Sequence, residues 1–153
     1  MSELEQAAQW ATIVGAPSAV MALIYAGLQI RQSVLIARGQ FMLELERMIA
    51  LHDPVHIRLR PRGDWSTRDS GPADNAEWAA LEDYMGFFEH CELLLQAGSL
   101  KLQSFKALFG YRVANIMANE HIVQAKLLKE KEGWRLFLEL LDRLDIARPS
   151  GAG

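Results

Sequence analysis

The feature of this sequence that most constrains its fold is an uncharged stretch near its beginning. Residues 10–30 contain no Asp, Glu, Lys or Arg, and their mean hydropathy is roughly 1.5. A helix needs about 20 apolar residues to cross the hydrocarbon core of a bilayer. The stretch therefore predicts an N-terminal transmembrane helix. A buried helix of a soluble protein is the alternative, whereas a cleaved signal peptide is disfavoured because the segment before the stretch is acidic.

The flanking residues predict how this helix is oriented. Acidic residues and no Lys or Arg precede the stretch, whereas arginines follow it from Arg31 onward. Lys and Arg accumulate on the cytoplasmic side of membrane segments. We therefore expect the N-terminus to lie outside and residues 31–153 to lie in the cytoplasm. Trp10 and Tyr25 are the amphipathic aromatic residues that we expect to anchor the helix at the membrane interfaces.

Small residues recur at steps of three and four along the same stretch, so they share one face of a helix. They are Ala11, Gly15, Ala19, Ala22 and Ala26. Helices associate in lipid through close backbone approach, which small residues permit. We therefore expect a helix-docking face against other transmembrane helices, in a homo-oligomer or a larger membrane complex. The alternative is that Ala and Gly are simply common in membrane helices.

The rest of the chain also reads as helical, because no segment shows the alternation of a β-strand. The prediction is an all-α fold in which one transmembrane helix, within residues 1–30, continues into a small cytoplasmic bundle. This bundle would contain four or five helices within residues 31–148. Residues 149–153 are expected to form a flexible tail.

Local signals mark the helices of this bundle. Asp74 with Glu77 predicts a capped helix start, Gly98 predicts the end of that helix, and Asn119 predicts a later break. The first of these helices carries acidic charges and the next carries basic ones, so we expect an antiparallel hairpin with complementary sides. The predicted core lines are Leu81, Met85, Phe88, Cys91 and Leu95, then Phe105, Leu108, Phe109, Val113, Ile116 and Met117.

A basic segment lies between the N-terminal helix and the hairpin. Residues 52–75 contain three prolines and two glycines, so they predict a long loop. Within it Arg58, Arg60 and Arg62 alternate with apolar residues, and Trp65 follows. We expect these four residues to contact anionic lipid headgroups or a partner surface. The alternative is a solvated loop that merely follows the charge bias of cytoplasmic segments.

The sequence contains no motif that predicts catalysis, a metal site or a cofactor. Phosphate-binding glycine loops and paired metal-ligand motifs are missing. Pro54 between His52 and His56 predicts that these two histidines do not share a helical face. Cys91 lies on an apolar face and is interpreted as a core residue. The net charge of −3 excludes a strongly basic nucleic-acid-binding surface.

Three pieces of the chain carry a resemblance to a known group of proteins. They are "YAGLQIRQS", "FFEHCELLLQAGSL" and "FGYRVANIMANEHI". Their order resembles that in a group of small single-pass bacterial membrane proteins of unknown function. The resemblance implies one membrane helix in the bacterial inner membrane and a cytoplasmic helical domain, and it implies no site.

Three functional hypotheses follow from these features. The first is a non-catalytic accessory or scaffolding subunit that docks to membrane helices through its small-residue face. The second is a membrane-tethered regulator whose basic segment binds anionic lipid or a soluble partner. The third is a soluble helical protein whose N-terminal helix is buried in an oligomer.

Overall fold

The computed structural model describes the backbone of residues 3–67 and 70–149, and the side chains from residue 21 onward within those ranges. Over these residues the fold is all-helical, as the sequence predicts, with six α-helices and no strand. Most of the predicted tail, residues 150–153, lies outside the described residues. The chain forms two compact units, Met1–Arg47 and Met48–Gly153.

The first unit is a single long helix. Helix α1 (Glu3–Ala50) is uninterrupted and has only its last turn in the second unit. The prediction that the N-terminal helix continues past Arg31 is confirmed. Among the described residues, no helix combines the length and the apolar character needed to cross a membrane. The predicted span, residues 10–30, has described side chains only from Met21.

The second unit contains the remaining five α-helices. They are α2 (Asp53–Leu59), α3 (Asn75–Gln96), α4 (Leu102–Met117), α5 (Glu120–Ile122) and α6 (Arg135–Arg143). The short α5 continues as a π-helical segment, Val123–Leu128, and a 3₁₀ turn, Lys131–Trp134, precedes α6. The prediction of a loop throughout residues 52–75 is wrong, because α2 lies inside it. Pro54 falls in the first turn of α2, where a proline removes no helical hydrogen bond.

The predicted ends of α3 are confirmed. The Asp74 side chain accepts a hydrogen bond of 2.9 Å from the backbone N–H of Glu77. At the other end Gly98 adopts a φ of 70°. The Ser99 N–H donates to the Leu94 carbonyl at 3.0 Å, and the Gly98 N–H donates to the Leu95 carbonyl at 3.1 Å. This is a Schellman motif, and a glycine at its left-handed position avoids steric strain.

An aromatic cluster forms the core of the second unit. The ring of Phe88 on α3 lies 5.0 Å from the ring of Tyr84, 6.3 Å from that of Phe105 on α4 and 6.4 Å from that of Phe137 on α6. The predicted core lines are buried except at two positions: Leu108 is exposed and Met117 is half-buried. Cys91 is fully buried, as interpreted from the sequence.

The predicted pairing of charges between α3 and α4 is wrong. Acidic side chains of α3 instead contact α2, the π-helical segment and α6. Glu82 lies 2.5 Å from the Lys126 ammonium, and Glu92 accepts hydrogen bonds of 2.7–3.0 Å from the Arg143 guanidinium. Helices α3 and α4 instead contact each other through aromatic rings. The charge prediction failed because the sequence alone does not say which neighbouring helix each acidic side chain faces.

Candidate functional site

The α1 helix exposes the described part of the predicted docking face. Ala22 and Ala26 are both exposed. Ala26 lies in a concave surface that continues the small-residue face toward the second half of the helix and also includes Gln29, Ile30, Ser33, Val34 and Ala37. The side chains of Ala11, Gly15 and Ala19 lie outside the described residues.

Apolar exposure on α1 is not confined to one face. Leu23 is 73% exposed and Ile24, on the next position around the helix, is 52% exposed. The large apolar side chains exposed between residues 21 and 36 are Met21, Leu23, Ile24, Tyr25, Leu28, Ile30, Val34, Leu35 and Ile36. Tyr25, a predicted interface anchor, is among these residues, whereas the side chain of Trp10 lies outside the described part.

Two members of the predicted basic contact site are held inside the fold. The Trp65 side chain is only 3% exposed, so the expectation of an exposed loop tryptophan is wrong. The Arg58 guanidinium lies over the Trp65 ring, 4.0 Å from its centroid. Arg58 also donates a hydrogen bond of 2.5 Å to the Glu77 carboxylate on α3. These contacts give Arg58 and Trp65 a role in joining α2 to α3.

The other two arginines of that site are exposed. Arg60 and Arg62 lie on a turn after α2, near Ile57, whose side chain is 49% exposed. We define the basic turn as residues 60–65. Its shape is fixed by hydrogen bonds from the Gly63 N–H to the Arg60 carbonyl at 2.8 Å and from the Trp65 N–H to the Arg58 carbonyl at 2.8 Å. The turn therefore presents its exposed charges from an ordered backbone.

A shallow cavity of about 290 Å³ lies between α2 and the start of α3. Val55 and Trp65 supply apolar surface, and Arg58 and Glu77 supply the charged side. The Arg58 Nε is buried and has no hydrogen-bond acceptor among the described residues. The backbone N–H of Ala73 and the Arg58 guanidinium hold the pKa of Glu77 below its ordinary value. Glu77 is therefore a stable anion that pairs with Arg58 beside this cavity.

Helix α2 brings together a polar cluster that the sequence did not predict. The rings of His52 and His56 lie 5.7 Å and 6.3 Å from the ring of Tyr84. The Nδ1 of His56 is 3.2 Å from the Tyr84 hydroxyl. The prediction that these histidines do not share a face is wrong, because Pro54 begins the helix rather than interrupting it. The sequence pattern that could have predicted this shared face is the four-residue spacing of the histidines around a proline, because a proline is favoured in the first turn of a helix.

On α4, Arg112 completes this polar cluster. Arg112 donates two hydrogen bonds of 3.0 Å from its terminal nitrogens to one oxygen of Asp53 on α2. Burial and then the nearby Arg112 charge lower the pKa of His56 below its ordinary value, although Asp53 opposes this shift. Burial likewise lowers the pKa of His52 and raises that of Tyr84. Both histidines are therefore neutral at pH 7.

In the described part of the chain, neither Cys91 nor any group of His, Cys, Asp and Glu side chains is arranged to hold a metal ion. Burial raises the pKa of the Cys91 thiol to about 12, so the thiol stays protonated at neutral pH. Among the described residues, no three His, Cys, Asp or Glu side chains are grouped to hold a metal ion.

Comparisons with known proteins add no relative. No protein-family model, no curated protein and no solved structure matches the chain.

Proposed function

We propose that this chain is a non-catalytic, single-pass membrane accessory or scaffolding subunit that docks to other membrane helices. The observation that carries the proposal is the set of nine large apolar side chains of α1 that are exposed between residues 21 and 36. In water such a surface would be unfavourable by about 25 cal/mol for each Å² of apolar area. Lipid or another apolar surface around α1 would remove that cost.

The charge distribution supports a specific orientation for this proposed subunit. Residues 10–30 carry no charge, and arginines follow them from Arg31. We propose a location in the bacterial inner membrane, with the N-terminus outside and the second unit in the cytoplasm.

Alkaline carbonate extraction of membranes tests the anchor. The full chain is expressed with a C-terminal tag in a bacterium, and the washed membranes are extracted and sedimented. We expect the chain in the membrane pellet. Release into the supernatant would reject the anchor and favour the soluble alternative, in which α1 is buried in an oligomer.

Leucine substitutions test the docking face. In the proposed complex, Gly15→Leu with Ala22→Leu would separate the helix backbones. We expect the complex to become smaller on a native gel after extraction in mild detergent. The matched control is Ala16→Leu with Gly27→Leu, which makes the same two changes of size on a different face of the helix and should leave the size of the complex unchanged. An unchanged size for both double variants would reject docking through the small-residue face.

A second candidate function is binding of the basic turn to an anionic lipid surface. It is favoured by the exposure of Arg60 and Arg62 beside the exposed Ile57. Each basic residue near an anionic membrane contributes about 1 kcal/mol of attraction. Arg58 is excluded from this revised contact set because it is paired with Glu77.

Vesicle binding tests this second candidate. We expect Arg60→Gln with Arg62→Gln to weaken binding to vesicles rich in phosphatidylglycerol, and we expect added salt to reduce the difference. Lys101→Gln with Lys129→Gln makes the same charge change at exposed sites elsewhere and is the matched control. Equal binding by the two double variants would reject a specific role for the basic turn.

A further inference from the structure

The hydrogen bond between His56 and Tyr84 satisfies the Tyr84 hydroxyl only while the Nδ1 of His56 carries no proton. Tyr84 is fully buried, so the hydrogen of its hydroxyl needs an acceptor inside the fold. That acceptor is the Nδ1 of His56, 3.2 Å away. His56 therefore keeps Nδ1 unprotonated while the contact exists.

A proton on His56 Nδ1 would reverse this hydrogen bond, because the Tyr84 oxygen can accept whereas the protonated ring can only donate. The hydrogen of the Tyr84 hydroxyl would then lose its acceptor. Tyr84 is fully buried, so its hydroxyl has no access to water as a substitute. The buried contact consequently opposes protonation of His56.

The charged groups on the neighbouring elements either oppose protonation of His56 or favour it only in part. On α2 itself, Asp53 favours the protonated His56, but its carboxylate is already bound to Arg112. On α4, Arg112 opposes a second positive charge, and the Tyr111 ring packs edge-on against His56 at 5.4 Å. Arg60 of the basic turn also opposes the charge.

The neighbouring histidine has its own set of charged groups. His52 lies against the rings of Tyr84 and Phe87 on α3. Asp83 on α3 favours its protonated form, whereas burial and Arg112 oppose it. The pKa of His52 is therefore lowered as well, so protonation of His52 also favours the released state.

We propose that His56 is a proton-sensitive latch. Taking up a proton on Nδ1 leaves the buried Tyr84 hydroxyl without an acceptor for its hydrogen and thereby favours release of α2, with the basic turn that follows it, from α3 and α4. The latch connects the protonation state of the surroundings to the mobility of exposed Arg60 and Arg62. This inference stands whether or not α1 lies in a membrane.

The size of the response follows from proton linkage. The released state has a histidine with an ordinary pKa near 6.5, while the closed state resists protonation. Below about pH 6.5 the released state therefore binds more protons. His56 alone then raises the opening constant of α2 by up to about tenfold for each pH unit.

Hydrogen exchange measured by mass spectrometry on the full chain tests the latch. Exchange of the amides in residues 53–65 is compared at pH 7.5, 6.5 and 5.5, after correction for the intrinsic effect of pH on exchange. We expect opening of this segment to increase below pH 6.5. Equal corrected opening at pH 7.5 and pH 5.5 would overturn the proposal.

Two variants assign the response to the proposed group. His56→Gln retains a side-chain acceptor for Tyr84 but does not titrate, so it should lose the contribution of up to about tenfold per pH unit. His90→Gln, at an exposed site on α3, should keep it. An unchanged pH response in His56→Gln would contradict the latch.

A titration of the wild-type chain keeps the test independent of how the variants fold. The ring resonances of His56 are followed by NMR against pH. We expect a midpoint below the value near 6.5 of an unperturbed histidine. A midpoint at or above that value would reject the latch.

Discussion

Gly63 occupies a position where an added side chain would collide with the backbone. A Cβ at this residue would lie 2.3 Å from the Arg58 carbonyl oxygen and 2.4 Å from the Ile57 carbonyl oxygen. These atoms belong to α2, so they cannot rotate away as a flexible side chain would. We expect Gly63→Ala to lower the free energy of unfolding by about 1–3 kcal/mol, as overpacking does. Urea denaturation followed by circular dichroism measures the change.

Gly110 provides the matched control for this substitution. It lies inside α4, and a Cβ there would meet no atom within 4 Å. Gly110→Ala should raise the free energy of unfolding by about 0.5–1 kcal/mol, because alanine is the better helix former. Destabilisation of the same size at both sites would contradict the role assigned to the close approach at Gly63.

Arg143 neutralises a carboxylate that has no access to water. Glu92 is 0% exposed, and the Arg143 guanidinium binds both of its oxygens. Arg143→Ala leaves that charge buried, so we expect a loss of about 3 kcal/mol in the free energy of unfolding. Arg135→Ala removes an exposed pair with Glu139 on the same helix and should cost under about 0.5 kcal/mol. Equal losses in thermal denaturation would show that burial of Glu92 is not what gives the pair its strength.

The sequence predicts the structural role of some single residues and not of others. The capping role of Asp74 depends on a residue three positions away, so a local pattern was sufficient to predict it. The burial of Trp65 depends on Arg58 lying over its ring, and that depends on an unpredicted α2. Leu108 is similar: it belongs to an apolar line on α4, but the structure leaves it exposed. Periodicity predicts which side chains share a face and does not show how wide the covered face is.

At the scale of elements, Asn119 connects the end of the basic turn and the residues that follow it to the junction of α4 and α5. Its side-chain N–H groups donate to the carbonyls of Trp65 at 2.7 Å and Ser70 at 2.8 Å. Its side-chain oxygen accepts from the Ile122 N–H at 2.9 Å and caps α5. The sequence predicted the break at Asn119 from its local preference. The two contacts to the distant segment could not be predicted from local pattern.

Replacing Asn119 separates these two roles. We expect Asn119→Ala to lower the free energy of unfolding by about 2–4 kcal/mol, because it leaves buried backbone groups without partners. Asn119→Asp keeps the capping oxygen but loses the donors to Trp65 and Ser70. Hydrogen exchange of residues 60–67 should increase in both variants, whereas exchange at Ile122 should increase chiefly in Asn119→Ala. Unchanged exchange of residues 60–67 in Asn119→Asp would contradict the connection.

The π-helical segment shows a second limit of local prediction. The sequence predicts a regular helix here, but the backbone forms a π-helix at Val123–Leu128. Inside it the Lys126 ammonium lies 2.5 Å from Glu82 on α3 and 5.2 Å from the ring centroid of Trp78. These partners lie more than forty positions away in the sequence. The apolar spacing of so short a segment does not distinguish a π-helix from an α-helix.

For the whole molecule, the all-helical class was predictable because every signal was local: apolar spacing, caps and breaking residues. The arrangement of the helices was not, because it depends on which distant charges and rings meet. The α3 acids contact α2, the π-helical segment and α6, and no local pattern specifies those partners. The polar cluster around Tyr84 follows from the same pairing of α2 with α3. The candidate site was therefore predictable in its residue types and not in its geometry.

The global stability of the molecule should depend on pH through His52 and His56. Their pKa values are lowered in the folded chain, so their contribution to stability is complete above the unfolded value near 6.5. It is lost as the pH falls through the lower folded values. We expect the midpoint of urea denaturation to fall between pH 7 and pH 5. His52→Gln with His56→Gln should flatten this dependence, and His90→Gln should not.

Glu89 on α3 contributes with the opposite sign. Its carboxylate accepts a hydrogen bond of 3.1 Å from the Phe137 N–H in the first turn of α6. Burial nevertheless raises its pKa above the ordinary value of 4.5. The stability that it adds is complete below pH 4.5 and is lost as the pH rises through its folded pKa. Glu89→Gln should therefore remove a loss of stability with rising pH, which runs in the direction opposite to the histidine effect. An unchanged dependence of the urea midpoint on pH above 4.5 in Glu89→Gln would contradict this assignment.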